Sequence, residues 1–192
     1  DQPRVLFMIE HSLREGVQHP EQSPRVISRR IQFVAIDEQG NATHAGWAPH
    51  LDLVPIEGAD RTLIEDILEA PWITTNLEAL ALPQAAQRLV PEHTQEIRTR
   101  RVQQADKILD AVHQRLIKEI SYWSDRYMKL TDDVKAGKQP RMQPERAKRT
   151  VDELTARLEQ RRAELEAMKT VVSSTPVVMG GAHAIYEPRW TL

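Results

Sequence analysis

The 192-residue chain has no cysteine, which excludes a disulfide scaffold and every thiolate zinc site and suits a reducing compartment. No apolar run approaches the ~18 residues that a membrane-spanning helix needs, and the N-terminus lacks the charged-then-apolar pattern of a secretory signal. These absences lead to the expectation of a cytoplasmic chain, either one domain or a compact unit with a long appendage. Asp1 stands where a complete chain has Met, so a fragment of a longer protein is expected.

Net charge is also scarce, because 26 Lys and Arg oppose 28 Asp and Glu to leave -2. The balance is uneven along the chain. Residues 1–90 hold 7 basic and 13 acidic side chains (7 - 13 = -6), residues 91–169 hold 18 and 14 (18 - 14 = +4), and the tail holds one of each. The same boundaries separate three predicted regions: a β-rich base with two short helices (1–90), a helical hairpin (91–170) and a C-terminal strand returning to the base (171–192).

Alternation of Val5, Phe7, Ile9, His11 and Leu13 with Leu6, Met8, Glu10 and Ser12 predicts a strand, closed by Gly16 and followed by a loop from Val17 to Pro24. A second strand from Val26 to Ile36 places Ile27, Arg29, Ile31, Phe33 and Ala35 opposite Ser28, Arg30, Gln32, Val34 and Ile36. The Asp37–Asn41 stretch then predicts a hairpin into a short strand ending near Trp47. Helical spacing of Leu63, Ile64, Ile67 and Leu68, with Asp60 as cap and Pro71 as stop, predicts a helix over 59–70. A further short helix is expected near Leu77–Leu89, with Pro83 in its first turn.

Between Pro91 and Gly137 there is neither proline nor glycine. Apolar residues fall at 105, 109, 112, 116, 120, 123, 127, 130 and 134, in the steps of four and three that mark a coiled-coil seam. Gly137, Pro140 and Pro144 break this arm. A second arm carries Ala147, Val151, Leu154, Leu158, Arg161, Leu165 and Met168 in strict heptad steps, so a short connection predicts an antiparallel hairpin. The unmatched start of the first arm must bury Ile97, Val102 and Ile108 elsewhere, and Val177–Met179 are expected to add a strand to the base. The expected fold class is α+β: a small antiparallel sheet and short helices form a base, from which a long antiparallel coiled-coil hairpin projects.

No catalytic, cofactor or metal constellation emerges. Ala136-Gly137-Lys138-Gln139 lacks the upstream glycine and following hydroxyl of a phosphate-binding loop, and Gly180-Gly181 predicts a bend or bulge in the last strand. Of seven histidines, none pairs with another at metalloprotease spacing. His44, His50 and Asp52 form the nearest cluster. The basic residues stand out in two places, Arg98-Thr99-Arg100-Arg101 and Arg146-Ala147-Lys148-Arg149, where they suit phosphate contacts. A solvated helix face laced with pairs such as Glu145–Arg149 and Glu153–Arg157 accounts for them better, because acidic residues are interspersed almost everywhere. Trp123 lies on the seam, whereas Tyr122 faces sideways.

Leu89-Val90-Pro91-Glu92-His93 leading into Ile97–Arg101, the run Ala111–Trp123, Ala136-Gly137-Lys138, Arg146–Arg149 with Asp152-Glu153-Leu154, and Pro176–Ala182 form an ordered series. It resembles the C-terminal region of large bacterial SWI/SNF-type helicase-related proteins, the HepA/RapA-like ATPases, including those of DISARM-like phage-defence systems. The likeness covers about residues 25–185. It implies a parent that is a duplex-DNA-stimulated ATPase with its motor upstream in the same polypeptide. This chain has no Walker A lysine motif, DExH-type box or arginine-finger motif, so no ATPase residue carries over and no cofactor is expected. Two functions follow as expectations. One is an accessory module touching duplex DNA through Arg98, Arg100, Arg101, Arg146, Lys148 and Arg149. The other is a protein-interaction module whose hairpin docks another subunit without DNA.

Overall fold

The computed structural model describes residues 2–16, 24–56 and 64–186. Along the chain come β1 (Gln2–Glu15), β2 (Val26–Asp37), β3 (Ala42–His44), a 3-10 turn (Pro49–Asp52), α1 (Glu65–Leu68), α2 (Glu78–Lys135), α3 (Pro144–Met168), β4 (Val171–Ser173) and β5 (Val177–Tyr186). The fold is mixed, with a five-stranded antiparallel sheet, one long helix and a second helix. It divides into two compact units: one holds the whole sheet and the chain up to Ile97, the other Gly16 and Arg98–Thr170. Among the described residues no helix is long and apolar enough to cross a membrane.

β1 is the spine of the sheet. β2 runs along one side of it in the register Val5↔Ile36, Phe7↔Val34 and His11↔Arg30. Along the other side lie β5, with Phe7↔Gly181, and β4, with Leu13↔Ser173. The tail strand thus pairs with β1, and its register slips between Met8 and Ile9, so that Met179 has no partner opposite it. This is the irregularity that Gly180-Gly181 led one to expect. At the β2–β3 turn Gly40 takes φ +80. The Asp37 carboxylate accepts from the backbone N–H groups of Gln39 and Asn41 and from the Asn41 amide, which holds it below the usual carboxylate range.

Alternation gives the sheet two faces. On one, Val5, Phe7, Ile9, Val34 and Ile36 are buried with Leu77, Ala81 and Ala85. On the other, Leu6, Phe33 and Ala35 are covered by Ala45 and Leu53. Helix packing on the first face uses Ala81, Ala85, Leu89, His93 and Ile97, spaced four residues apart, all buried. Each step of four turns the row about 40° around the helix axis, so it winds rather than forming a straight heptad stripe. The two alanines that begin the row let the backbone approach the large side chains of β1. Beyond the apolar part, Leu13 packs with Ile97 and Val171.

Two sequence expectations are corrected. The helix expected over 59–70 is seen only as Glu65–Leu68, and Asp60 and Leu63 lie outside the described residues, as do 17–23 of the expected loop. The helices expected near Leu77–Leu89 and from Pro91 onward are one, with Pro83 and Pro91 inside it. Each proline removes one ladder hydrogen bond, but both prolines are exposed, as are Ala79 and Gln87 four residues earlier, so water can serve the freed carbonyls. The continuous buried row outweighs the local penalty.

In the second unit, Gly137 adopts φ +77 at the end of α2, where Lys138 pairs with Asp133 at 2.8 Å. Ala105 and Leu116 on α2 are buried, as are Ala147 and Leu165 on α3. Most other seam positions are half-buried, but Val134 and Arg161 are exposed. Two polar contacts tie the end of α3 to α2: Arg101 Nε donates to the Met168 carbonyl at 2.7 Å, and Lys169 Nζ meets Asp106 at 2.8 Å. Gly16 donates its N–H to the Thr170 carbonyl at 3.1 Å, and a Cβ on Gly16 would lie 2.2 Å from Thr170 Cγ2. Gly16→Ala is therefore expected to destabilise the protein by about 1–3 kcal/mol in urea unfolding. Thr170→Gly in the same chain should recover part of that loss, and two additive substitutions would contradict the contact.

Candidate functional site

The two basic clusters differ in how they are held. Arg98 and Arg100 are exposed on α2, but Arg101 is half-buried and its Nε is committed to Met168. Arg100 and Arg101 each have a further interaction within the protein. Arg101 thus closes the base of the two-helix unit.

Arg146, Lys148 and Arg149 are all exposed and flank the buried Ala147 in the first turns of α3. The helix begins with Pro144, and Gln143 before it supplies no side-chain cap. Pro144 has no N–H and the Arg146 N–H donates to the Gln143 carbonyl at 3.1 Å. The positive end of the helix dipole therefore coincides with three cationic side chains against one carboxylate, Glu145, an arrangement unfavourable by a few tenths of a kcal/mol per charge until an anion approaches. The pairs expected to neutralise this face do not form: among the described residues Arg149 makes no ion pair with Glu145, and Arg157 none with Glu153. Elsewhere helix pairs do form, as between Arg115 and Glu119 at 3.2 Å and between Arg88 and Glu92 at 3.2 Å.

The sheet unit contains a polar device that the sequence did not reveal. His11 on β1 and His93 on α2 are 0% and 1% exposed, and their Nδ1 atoms are 2.9 Å apart. The rings meet edge to face, with centroids 5.0 Å apart. His93 Nε2 lies 2.7 Å from Ser28 Oγ on β2, and His11 Nε2 lies 2.9 Å from Ser173 Oγ on β4. One direction gives every donor of this chain an acceptor: Ser28 Oγ–H to His93, His93 Nδ1–H to His11, His11 Nε2–H to Ser173, and Ser173 Oγ–H to the Ser174 carbonyl. Only one hydrogen fits between the two Nδ1 atoms, so both rings cannot be charged while this bond stands. Burial and the nearby Arg30 guanidinium, itself paired with Glu96, lower the value of His11 below its usual 6.5. Burial, Arg30 and His11 push His93 down to about 4, against an opposing pull from Glu96.

The order Ser28–His93–His11 has the sequence of contacts of nucleophile, base and orienting group. A histidine with a value near 4 is a weak base at neutral pH, and the third group is a neutral imidazole rather than a carboxylate. Its geometry serves to join β1, β2, β4 and α2. The signal missed in the sequence was the spacing: His93 stands four residues from both Leu89 and Ile97, on the buried row.

The other histidine cluster comes apart. His44 Nδ1 contacts Gln32 Nε2 at 3.1 Å, and His50 stacks on Phe33 with centroids 5.0 Å apart. Among the described residues no group of His, Asp and Glu could hold a metal. Tyr122 is exposed and meets both Trp123, edge to face at 5.5 Å, and Arg126, which donates to its hydroxyl at 3.3 Å. Compared with protein-family models, curated proteins and solved structures, the chain matches none.

Proposed function

We propose that this chain is a non-catalytic accessory module of a bacterial helicase-like, DNA-dependent ATPase of the SWI/SNF type. In this role it braces a motor in the same polypeptide, in the cytoplasm, and contacts the backbone of duplex DNA. Support comes first from the ordered sequence likeness. The observation that carries the DNA contact is the exposed triad Arg146, Lys148 and Arg149 at the uncapped start of α3, which forms no ion pair among the described residues. Phosphate is the anion such a surface suits, through charge and the helix dipole together. Arg98 and Arg100 extend the same chemistry on α2, and Arg101 acts on it through position.

The support for α2 and α3 forming an antiparallel coiled-coil hairpin is the half-buried seam together with the Arg101–Met168 and Asp106–Lys169 contacts. Such a pair would give the triad a stiff mount.

Titration of the full chain with a fluorescent duplex across salt concentrations tests the proposal. Wild type is expected to bind in a salt-sensitive way. Arg146→Gln, Lys148→Gln and Arg149→Gln together should weaken binding at least about tenfold at low salt and flatten the log–log salt slope by about 2–3. Arg157→Gln should change little. Failure to bind duplex at low salt, or an unchanged slope in the triple variant, overturns the DNA contact. Association with a partner protein that survives high salt would favour docking of the hairpin instead.

A further inference from the structure

After β3 the chain crosses the second face of the sheet as a short platform. Ala45 donates its N–H to the Phe33 carbonyl at 2.9 Å, Pro49 is buried, His50 stacks on Phe33, and Leu53 packs with Leu6, Phe33 and Ala35. Leu51 N–H bonds to the Ala48 carbonyl at 3.0 Å to close the 3-10 turn. These inward anchors leave the alternate side chains facing out: Trp47 is 82%, Leu51 77% and Val54 86% exposed. Summed over the three, on the order of 400 Å² of side-chain surface stays in water on one short stretch, and large exposed apolar side chains gathered in this way are commonly functional.

We propose that this platform docks a partner protein presenting an apolar cleft rimmed by lysine or arginine, with Trp47 as the central anchor. Charge selects this occupant. From Ile31 to Ile56 the chain has no Lys or Arg, but it carries Asp37, Glu38 and Asp52. A second copy meeting this surface about a two-fold axis would set the same acidic stretch against itself. Nucleic acid and anionic lipid are repelled for the same reason. A protein cleft with basic edges satisfies both features, since the tryptophan fills a pocket and the rim pairs with carboxylates. The platform belongs to the sheet unit and the α3 triad to the other, so docking and DNA contact are tested on different residues.

Two helical peptides, rich in leucine and identical except for lysine or glutamate on the polar face, serve as probes. Titrated against the isotope-labelled full chain, the lysine peptide is expected to move the Trp47 indole resonance and the amides of Leu51–Val54, with a dissociation constant at least about tenfold lower than the glutamate peptide. Trp47→Ser with Leu51→Ser should weaken it by a similar factor and leave the melting curve in place, because neither side chain is in the core. Equal affinity for the two peptides, or no response at Trp47, overturns the proposal. So does a dimer in sedimentation of the chain alone that the double variant dissolves, or flotation of the chain with zwitterionic vesicles.

Discussion

Lowering the pH from about 6.5 to 4 is expected to remove on the order of 3 kcal/mol of folding stability through the His11–His93 pair alone. The sign follows from His93, whose folded value of about 4 lies below its ordinary 6.5. Between those limits the unfolded chain takes up protons that the folded chain refuses. The stabilisation is therefore complete above 6.5 and disappears as the pH falls toward 4. His11 is lowered as well and acts in the same direction. Arg30 and Glu96 are the charged groups facing the pair. Urea midpoints at pH 7, 5.5 and 4 measure the effect.

Ordinary carboxylates titrate near the lower limit as well, so variants must isolate the histidines. His11→Leu or His93→Leu alone leaves the other ring's Nδ1 buried without a partner, at a cost of about 2–3 kcal/mol. Both together remove the orphan, so the double variant should be less destabilised than the two singles combined, by about 1–2 kcal/mol. It should also lose most of the dependence above pH 4.5. Stability that stays flat from pH 7 to 4, or strictly additive substitutions, would rule out the coupled neutral pair.

Ile9→Ala is expected to cost about 2–5 kcal/mol, while Ile31→Ala should stay within about 0.5–1 kcal/mol. Both are isoleucines in alternating strands, one on β1 and the other on β2. Ile9 is 0% exposed, at the centre of the face that receives Ala81 and Ala85 of α2. Its truncation leaves a cavity in a layer already close because of those alanines, which leaves little room for neighbours to collapse. Ile31 is 45% exposed on the opposite face, and the residue beside it on β1 is Glu10. Thermal melts of the two variants under one condition decide the matter. Similar losses would mean that the sheet is covered equally on both faces.

These contrasts show where the sequence could be read. The β1 and β2 alternation, the Gly40 turn, the break at Gly137–Pro144 and the helical rows around Leu116 and Leu165 all follow from local periodicity and turn chemistry, and the structure contains each. The start of α2 was misjudged because Pro83 and Pro91 are local stop signals. Their penalty is outweighed only by burial of the row from Ala81 to Ile97 against a sheet whose strands come from both ends of the chain. For the candidate site, the two basic clusters were equivalent as composition. Contacts separate them, because Arg101 is drawn into a bond with Met168, whereas among the described residues Arg149 and Arg157 form none of the ion pairs proposed for them.

By itself the sequence determined the absence of thiol chemistry, the acidic start and basic middle, and the periods of its strands and helices, since these depend on residue type and spacing along one segment. Only the tertiary structure decided that His11 and His93, 82 positions apart, share one hydrogen, and that Trp47, Leu51 and Val54 face water while Leu53 does not. Each of those outcomes depends on what a distant segment places opposite a side chain, and a local pattern carries no record of that.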